Sequence, residues 1–282
     1  MKFTRILITI SCYFSLDGMA FVPPLTAIFK ANFDGRKSLP TETVFRHQIK
    51  LKNGENIALE EKLAEIGGKT YVVFRSPSYG DVAGTWSKGS YYFAGEKKVP
   101  SRSKAFLSFY SASNGDEFRD VLLDEKFLKR DQFNQYKSSF TPQGDPATWD
   151  LKENYVVQPN VYFSKTPQGP AIVAVGLDEN KMRRAVFFDK GTLLLSRIEW
   201  RDGDQETSWN FRGSKKFPGD SSFPDEMSLV LDKQVIIQSS LVSRQFLKGK
   251  LKSQWLDKFS ALSKLGMSPN LEEGLKILLG YR

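Results

Sequence analysis

Few residues of this 282-residue chain have the types and spacing that chemistry at a site requires. His47 is the only histidine and Cys12 the only cysteine, too few for the usual zinc sites. A Ser-His-Asp triad would have to use His47, and no Gly-x-Ser-x-Gly turn presents a serine. His47 stands at an inward position of a predicted strand, which favours a hydrogen-bonded core histidine over a catalytic one.

Other catalytic motifs are also missing from the sequence. The chain has no P-loop and no Gly-x-Gly-x-x-Gly motif. The Asp-Gly-Asp sequence at 202–204 lacks the further spaced acids of a calcium loop, so it predicts a turn. Asp124, Glu125 and Glu199 could pair as glycosidase acids, but no feature singles them out. We therefore expect no catalytic residues, no metal and no cofactor.

The first twenty residues have the composition of a secretory signal peptide. A short basic start precedes an apolar run from Ile6 to Leu16, which is too short to span a bilayer. The small residues Gly18 and Ala20 predict cleavage after Ala20 and export to the periplasm. Cys12 would be removed with the signal, so the exported chain must depend on burial of its core and not on disulfides.

The formal net charge of +9 limits the classes of partner that the protein is expected to bind. A basic surface can meet nucleic acid, anionic lipid or acidic polymers, and it also serves solubility alone. Export makes nucleic acid the least plausible of these partners. We expect an anionic membrane surface or an envelope protein instead.

The segment from Ala185 to Phe246 predicts a run of antiparallel strands. Turn signals occur at 189–191, 202–204, 217–220 and 232–233, and apolar residues alternate with polar ones between them. Ile198 and Trp200 share one strand face, as do Trp209 and Phe211 on the next strand. A sheet with one apolar face must be covered by another layer or curve around a ligand.

The remaining segments add further strands and several helices. Predicted strands cover 44–51, 57–66, 70–75, 91–93, 105–110, 151–164 and 170–177, and the Gly- and Ser-rich stretch 76–90 predicts a mobile loop. Predicted helices cover 25–33, 116–136, 251–266 and a last segment that Ser268 caps and Pro269 begins. The 116–136 segment is apolar on two faces, so it either lies between two layers or breaks near Asp124.

Two sequence stretches carry a resemblance to a known family. AVFFDKGTLLLSRIEWRDGDQETSWNFRG and FPDEMSLVLDKQVIIQSSLVSRQF resemble the outer-membrane lipoprotein carrier family with its LolA/LolB-like fold. The likeness is a succession of strands and turns, among them an acidic turn, an Asp-Gly turn and a strand that follows a proline. It implies an α+β fold: a curved antiparallel half-barrel of about eleven strands, with helices covering its concave side. It also implies an apolar interior that takes acyl chains without catalysis.

These observations predict three regions: a signal peptide over 1–20, a half-barrel domain over 21–250, and a basic amphipathic helical extension over 251–282. The expected function is that of a periplasmic carrier of an acyl-chain lipid or lipoprotein. The alternative is a non-catalytic envelope structural or interaction protein with a packed core. The residues expected to line the ligand site are Phe45, Ile49, Phe109, Phe127, Ile198, Trp200, Trp209, Phe211, Leu229 and Leu231. Those expected to dock on a membrane or partner are Lys252, Trp255 and Lys258, unless their helix closes the open side of the barrel.

Overall fold

The computed structural model describes residues 22–37, 39–87, 89–94, 98–134, 160–218, 220–264 and 268–281. The predicted signal peptide and the predicted strand residues 151–159 lie outside these ranges. The three-region division therefore stays a prediction. No helix of the described ranges is both long enough and apolar enough to cross a membrane.

One large antiparallel sheet forms the body of the chain. It contains thirteen strands in the order β6-β5-β4-β3-β2-β1-β15-β14-β11-β10-β9-β8-β7, and β12 and β13 form a separate pair. The sheet does not close, because β6 and β7 remain as edges. The strands are β1 Thr41–Lys50, β2 Asn56–Ile66, β3 Lys69–Ser76, β4 Gly80–Ser87, β5 Ser90–Phe93, β6 Lys98–Pro100, β7 Val161–Thr166, β8 Gly169–Glu179, β9 Met182–Asp189, β10 Leu195–Asp202, β11 Gln205–Arg212, β12 Lys215–Lys216, β13 Ser222–Phe223, β14 Glu226–Leu231 and β15 Gln234–Phe246.

Helices lie on both sides of this sheet. They are α1 Leu25–Phe33, α2 Ala105–Ser111, α3 Gly115–Asp124, α4 Asp131–Asn134, α5 Lys250–Leu262 and α6 Pro269–Gly280. We call inner the sheet face that carries Phe45 and Ile49, and outer the opposite face. Buried residues of α1, α2, α3 and α6 share one core cluster with the inner face, whereas α5 packs on the outer face. The predicted α+β half-barrel with covered inner side is confirmed.

Strand alternation creates the apolar inner face. Ile198 pairs with Trp209, Trp209 with Leu229, and Leu229 with Ile237, so one row of large side chains crosses four strands. Residues paired across antiparallel strands project to the same face. All four side chains are buried. The helices above this row are needed to remove it from water.

The segment 105–110 is a helix, and the prediction of a strand there is wrong. Ala105 to Tyr110 are all buried in α2. A short apolar run that is buried on every side carries no periodicity, so sequence alone does not distinguish a core strand from a core helix. The Glu125 carboxylate accepts a hydrogen bond of 2.6 Å from the backbone N–H of Lys104, just before the helix begins.

The predicted mobile loop at 76–90 is also wrong, because most of it forms β4. Its glycines serve turns and close packing. Gly80 and Gly89 have positive φ values of 83° and 74° at the two ends of the strand. Gly84 lies against the backbone of Tyr92 and the ring of Phe93, where a Cβ would overlap both. Glycine here permits close approach of β5 and does not signal disorder.

The predicted helix 116–136 breaks near Asp124, which is one of the two alternatives that its second apolar face left open. The helix α3 ends at Asp124, and Lys126 takes a left-handed conformation with φ 61°. Phe127 and Leu128 then turn into the core. Gly176 of β8 lies directly beneath this turn, where a Cβ would overlap the Lys126 carbonyl oxygen. Residues 135 and 136 lie outside the described ranges.

Candidate functional site: the inner face and its cover

The central helix α2 fills the middle of the inner face with aromatic rings. The Phe106 ring lies 4.4 Å from the Trp209 ring and 5.9 Å from the Phe211 ring, centroid to centroid. Phe109 lies 5.3 Å from Phe118 of α3. The Tyr110 ring meets Phe45 edge-on at 5.0 Å. Such tilted and edge-on contacts are favourable and give this part of the interior a defined packing.

The structure brings most of the predicted ligand-lining residues together. Leu231 is the exception, since it is partly exposed at the end of β14 and lies outside the main core cluster. The members of that cluster are Phe45, Ile49, Phe109, Phe127, Ile198, Trp200, Trp209, Phe211 and Leu229. They face the protein's own helices, so any ligand that reaches them must replace a covering helix.

A chain of buried polar groups crosses the inner face beside these apolar residues. His47 Nδ1 lies 2.7 Å from Ser239 Oγ, and His47 Nε2 lies 3.1 Å from Glu61 Oε2. The side chains of His47 and Glu61 are fully buried, and Ser239 is 6% exposed. The prediction of a hydrogen-bonded core histidine agrees with this geometry.

This arrangement has the group types of a hydrolase triad but not the access. Ser239 pairs with Met227, whose sulfur lies 2.8 Å from the Tyr110 hydroxyl of the covering helix α2. A serine nucleophile must reach a substrate carbonyl, and here α2 stands in the way. Sequence reasoning missed Glu61 and Ser239. One signal in the sequence could have revealed Glu61. It is a charged residue at an inner position of β2, between the apolar inner residues Leu59 and Leu63.

A second polar cluster lies where α1 and α2 meet the sheet. Arg244 Nε donates a 2.7 Å hydrogen bond to the Asp220 carboxylate, and Arg244 Nη1 donates to Thr43 Oγ1 at 2.7 Å. Arg36 donates to the Phe109 and Ala112 carbonyl oxygens at the end of α2.

Arg244 is the ion-pair partner of Asp220, and Arg36 lies close enough to be influenced by the same negative charge. The guanidinium carbons of Arg36 and Arg244 lie 4.3 and 4.6 Å from the centroid of the Phe223 ring. Burial, reinforced by the positive charge of Arg244, holds the pKa of Arg36 well below its usual value. The cluster ties the end of α2 to β15 and to the loop before β13.

The carboxylates considered as glycosidase acids do not come together. Glu125 accepts hydrogen bonds from Ser103 Oγ and the Lys104 N–H, both at 2.6 Å, at the start of α2. Burial raises the pKa of Glu125. Glu199 lies on the outer face, 2.7 Å from Arg197 and 3.6 Å from Arg183. Glu125 and Glu199 therefore each have structural partners of their own.

Glu65 should make stability depend on pH. Burial raises its pKa to about 7, against the opposing hydrogen bond of 2.8 Å from Thr70 Oγ1. The folded protein therefore holds this proton more tightly than the unfolded chain, and stability falls as pH rises from about 4.5 to 7. We expect Glu65→Gln to raise the free energy of unfolding by about 2 kcal/mol at pH 8 and to change it little at pH 4.

Urea unfolding of the wild type and Glu65→Gln at pH 4, 6 and 8 checks this expectation. Glu226→Gln, at an exposed strand position, is the matched control and should give no pH-dependent difference. Parallel pH profiles for wild type and Glu65→Gln would contradict the expectation.

The predicted docking helix α5 packs on the outer face and does not close the barrel. The Trp255 indole N–H donates a 2.6 Å hydrogen bond to Glu42, and the ring stacks on Phe259 at 5.7 Å. Phe259 in turn meets Tyr71 of β3 edge-on at 4.9 Å. Trp255 therefore attaches α5 to the sheet, whereas Lys258 is exposed and Lys252 half-buried.

Two cavities among the described residues lie away from the predicted ligand residues. One of about 200 Å³ lies between α1, α3 and α4 and is lined by Phe29, Lys30, Arg119 and Phe133 among others. A second, of about 490 Å³, shares Arg119 and Phe133 and opens on the surface. No group of three or more potential metal ligands occurs within the described residues.

The chain is similar to three crystal structures over about four fifths of its length. An outer membrane lipoprotein-sorting protein domain from Vibrio parahaemolyticus is 12% identical, with a TM-score of 0.44, 82% of this chain and 96% of that chain covered. A LolA superfamily protein from Nitrosomonas europaea is 8% identical, with a TM-score of 0.46 and coverages of 82% and 97%. A DUF1329 family protein from Desulfovibrio piger is 11% identical, with a TM-score of 0.41 and coverages of 81% and 95%.

The similarity to these structures is weak in both sequence and TM-score. The open antiparallel sheet with helices on its inner face is the architecture that the resemblance implied. No protein-family model and no curated protein matches the sequence. At these identities and TM-scores the similarity carries no argument about function, so function has to be argued from this chain's own residues.

Proposed function

We propose that this protein is a non-catalytic carrier of an acyl-chain lipid or a lipoprotein in the periplasm. The observation that supports this proposal is that the inner face and its cover are held by different interactions. Strand pairing holds the large inner apolar face, while helices that take no part in that pairing cover it. A covering helix can move without breaking a strand ladder, and each methylene group of an incoming chain contributes about 0.8 kcal/mol on burial.

The basic helix α5 supplies a surface for delivery. Lys252 and Lys258 lie on a helix whose apolar side already packs on the sheet, so their charges are available to anionic head groups or to an acidic envelope protein. We propose that this surface brings the carrier to a membrane or partner. Charge reversal at both lysines should weaken binding to vesicles that contain anionic lipid and leave ligand binding inside the sheet unchanged.

A packed interaction scaffold is the second candidate. The close contact between Phe106 and Trp209, with centroids 4.4 Å apart, favours it, because this part of the inner face is already filled. Such a protein would present its outer face and edges to partners and would carry no ligand.

Mass spectrometry of lipids extracted from the purified periplasmic protein separates the two candidates. The carrier proposal expects an acyl lipid in stoichiometric amount, or saturable binding of a fluorescent fatty acid after delipidation. A soluble periplasmic binding protein of another fold, purified in the same way, is the control for carry-over. A lipid-free protein that binds no alkyl probe would leave the packed scaffold as the function. Fractionation of cells, with sequencing of the new N-terminus, tests export and cleavage after Ala20.

A further inference from the structure

Resting on the proposed function, we propose that the alkyl-binding groove is the part of the inner face beneath α6, and that α6 occupies this groove in the unloaded protein. The helix lies beside β1 and β6. It adjoins the aromatic centre under α2, where most of the predicted ligand residues lie, and the two regions meet at Trp209. The ligand class is a single long alkyl chain.

The helix α6 presents one apolar stripe to the sheet. Leu271, Leu275, Leu278 and Leu279 are each at most 1% exposed, and all belong to the inner core cluster. Their side chains together contain about sixteen carbon atoms, the content of a long acyl chain, so the two occupants bury similar apolar surface. The exchange of one for the other leaves the sheet face covered in both states.

The position of α6 on the sheet depends on side-chain packing and on a few polar contacts at its C-terminal end. The Trp209 indole N–H donates a 2.6 Å hydrogen bond to the Tyr281 carbonyl oxygen, and the Arg102 N–H donates a 2.9 Å bond to the Gly280 carbonyl oxygen. The Arg102 guanidinium also lies 4.9 Å from the Tyr281 ring centroid. No described strand pairing includes α6, so its departure leaves the sheet intact.

The helix α6 has low intrinsic stability and depends on packing against the sheet, although its N-terminus is capped. The Ser268 side chain accepts a hydrogen bond from the Leu271 N–H, so α6 carries its own N-cap. Gly274 lies in the middle of the helix, where glycine lowers intrinsic helix stability. That glycine also brings the helix close to β2, since a Cβ on residue 274 would lie 3.2 Å from Cδ1 of Ile57. A helix of this kind forms on its groove and loses structure easily when displaced.

A disulfide across this contact tests the proposal. A Cβ at residue 274 would lie 3.9 Å from Cγ2 of Ile57, so the two side chains would be in direct contact and residues 57 and 274 are the pair to cross-link. Cys12 is the chain's only cysteine, so the Cys12→Ser chain is a clean background for Ile57→Cys with Gly274→Cys. Binding is measured with pyrene-labelled hexadecanoic acid, before and after reduction.

The proposal expects the reduced double-cysteine protein to bind the probe and the oxidised protein to bind it at least tenfold more weakly. A second variant does not depend on the disulfide. Leu278→Ala loosens α6, raises the fraction of open protein and should tighten apparent binding severalfold. Phe259→Ala, an apolar truncation on the outer helix α5, is the matched control and should leave binding unchanged.

Equal binding by oxidised and reduced protein, together with no gain in Leu278→Ala, would overturn the α6 groove and leave the carrier function standing. Absence of probe binding in every form, including Leu278→Ala, would instead overturn the carrier function itself. The two failures therefore give different results in the same titration.

Discussion

Replacing Arg244 by methionine is expected to lower the free energy of unfolding by about 3 kcal/mol. The side chains of Arg244 and Asp220 are 5% and 2% exposed, so the change leaves a buried carboxylate without its main partner. Breaking a buried ion pair from one side usually costs about 3–5 kcal/mol. Arg36 remains close enough to Asp220 to offset part of the loss, which places the expected effect at the lower end of that range.

Urea unfolding followed by tryptophan fluorescence measures this loss. Arg75→Met is the matched control, because Arg75 pairs with Asp81 at 3.2 Å while 45% of its side chain is exposed. Exposed pairs of this kind contribute about 0.2–1 kcal/mol. In the double variant Arg244→Met with Asp220→Asn, part of the lost stability should return. A loss below 1 kcal/mol in Arg244→Met would show that the cluster does not hold α2 to the sheet.

Replacing Phe106 by alanine is expected to cost about 3–5 kcal/mol. The ring is 1% exposed and contacts the rings of Trp209, Tyr110 and Phe211, so its removal opens a void between α2 and the sheet. A dry void lined by aromatic side chains takes up small apolar molecules. Benzene or a similar probe should therefore raise the melting temperature of Phe106→Ala and leave that of the wild type unchanged.

Phe259→Ala provides the control for this truncation. The residue changes in the same way, but Phe259 is only partly buried on the outer face, so we expect a loss of about 1 kcal/mol and no stabilisation by benzene. Similar losses in the two variants would mean that α2 packs loosely on the sheet. The packed-scaffold function would then lose the contact that favours it.

The part of the inner face under α2 and the part under α6 are covered by different kinds of contact, and this matters for the proposed function. The centre under α2 is fixed by aromatic rings and by the buried cluster of Arg36, Arg244 and Asp220. The inner face under α6 is covered by leucines, with a few polar contacts near Tyr281. Under the proposed function, the ligand would enter under α6, where the cover is not fixed by such a cluster. The proposed carrier function and the well-packed centre are therefore compatible in one molecule.

The His47 chain shows why an inner polar group need not be a catalyst. Strand pairing sets Ser239 opposite His47, and the neighbouring strand brings Glu61 within 3.1 Å, so the imidazole lies between two polar partners. Buried polar groups cost free energy unless they are hydrogen-bonded. The sequence indicated the inward position of His47. It did not reveal the partners, because they come from strands that are 14 and 192 residues away.

The sequence by itself determined the features that depend on neighbouring residues: strand alternation, turns and helix caps. Period-two alternation and the turn residues of 185–246 defined β9 to β11, β14 and β15, and Ser268 with Pro269 defined the start of α6. Tertiary structure alone decided the state of 105–110, the ordering of β4 around Gly84, and the faces on which α5 and α6 lie. The physical reason is that an apolar segment only requires burial, and the partner that buries it is chosen by elements far away in the chain.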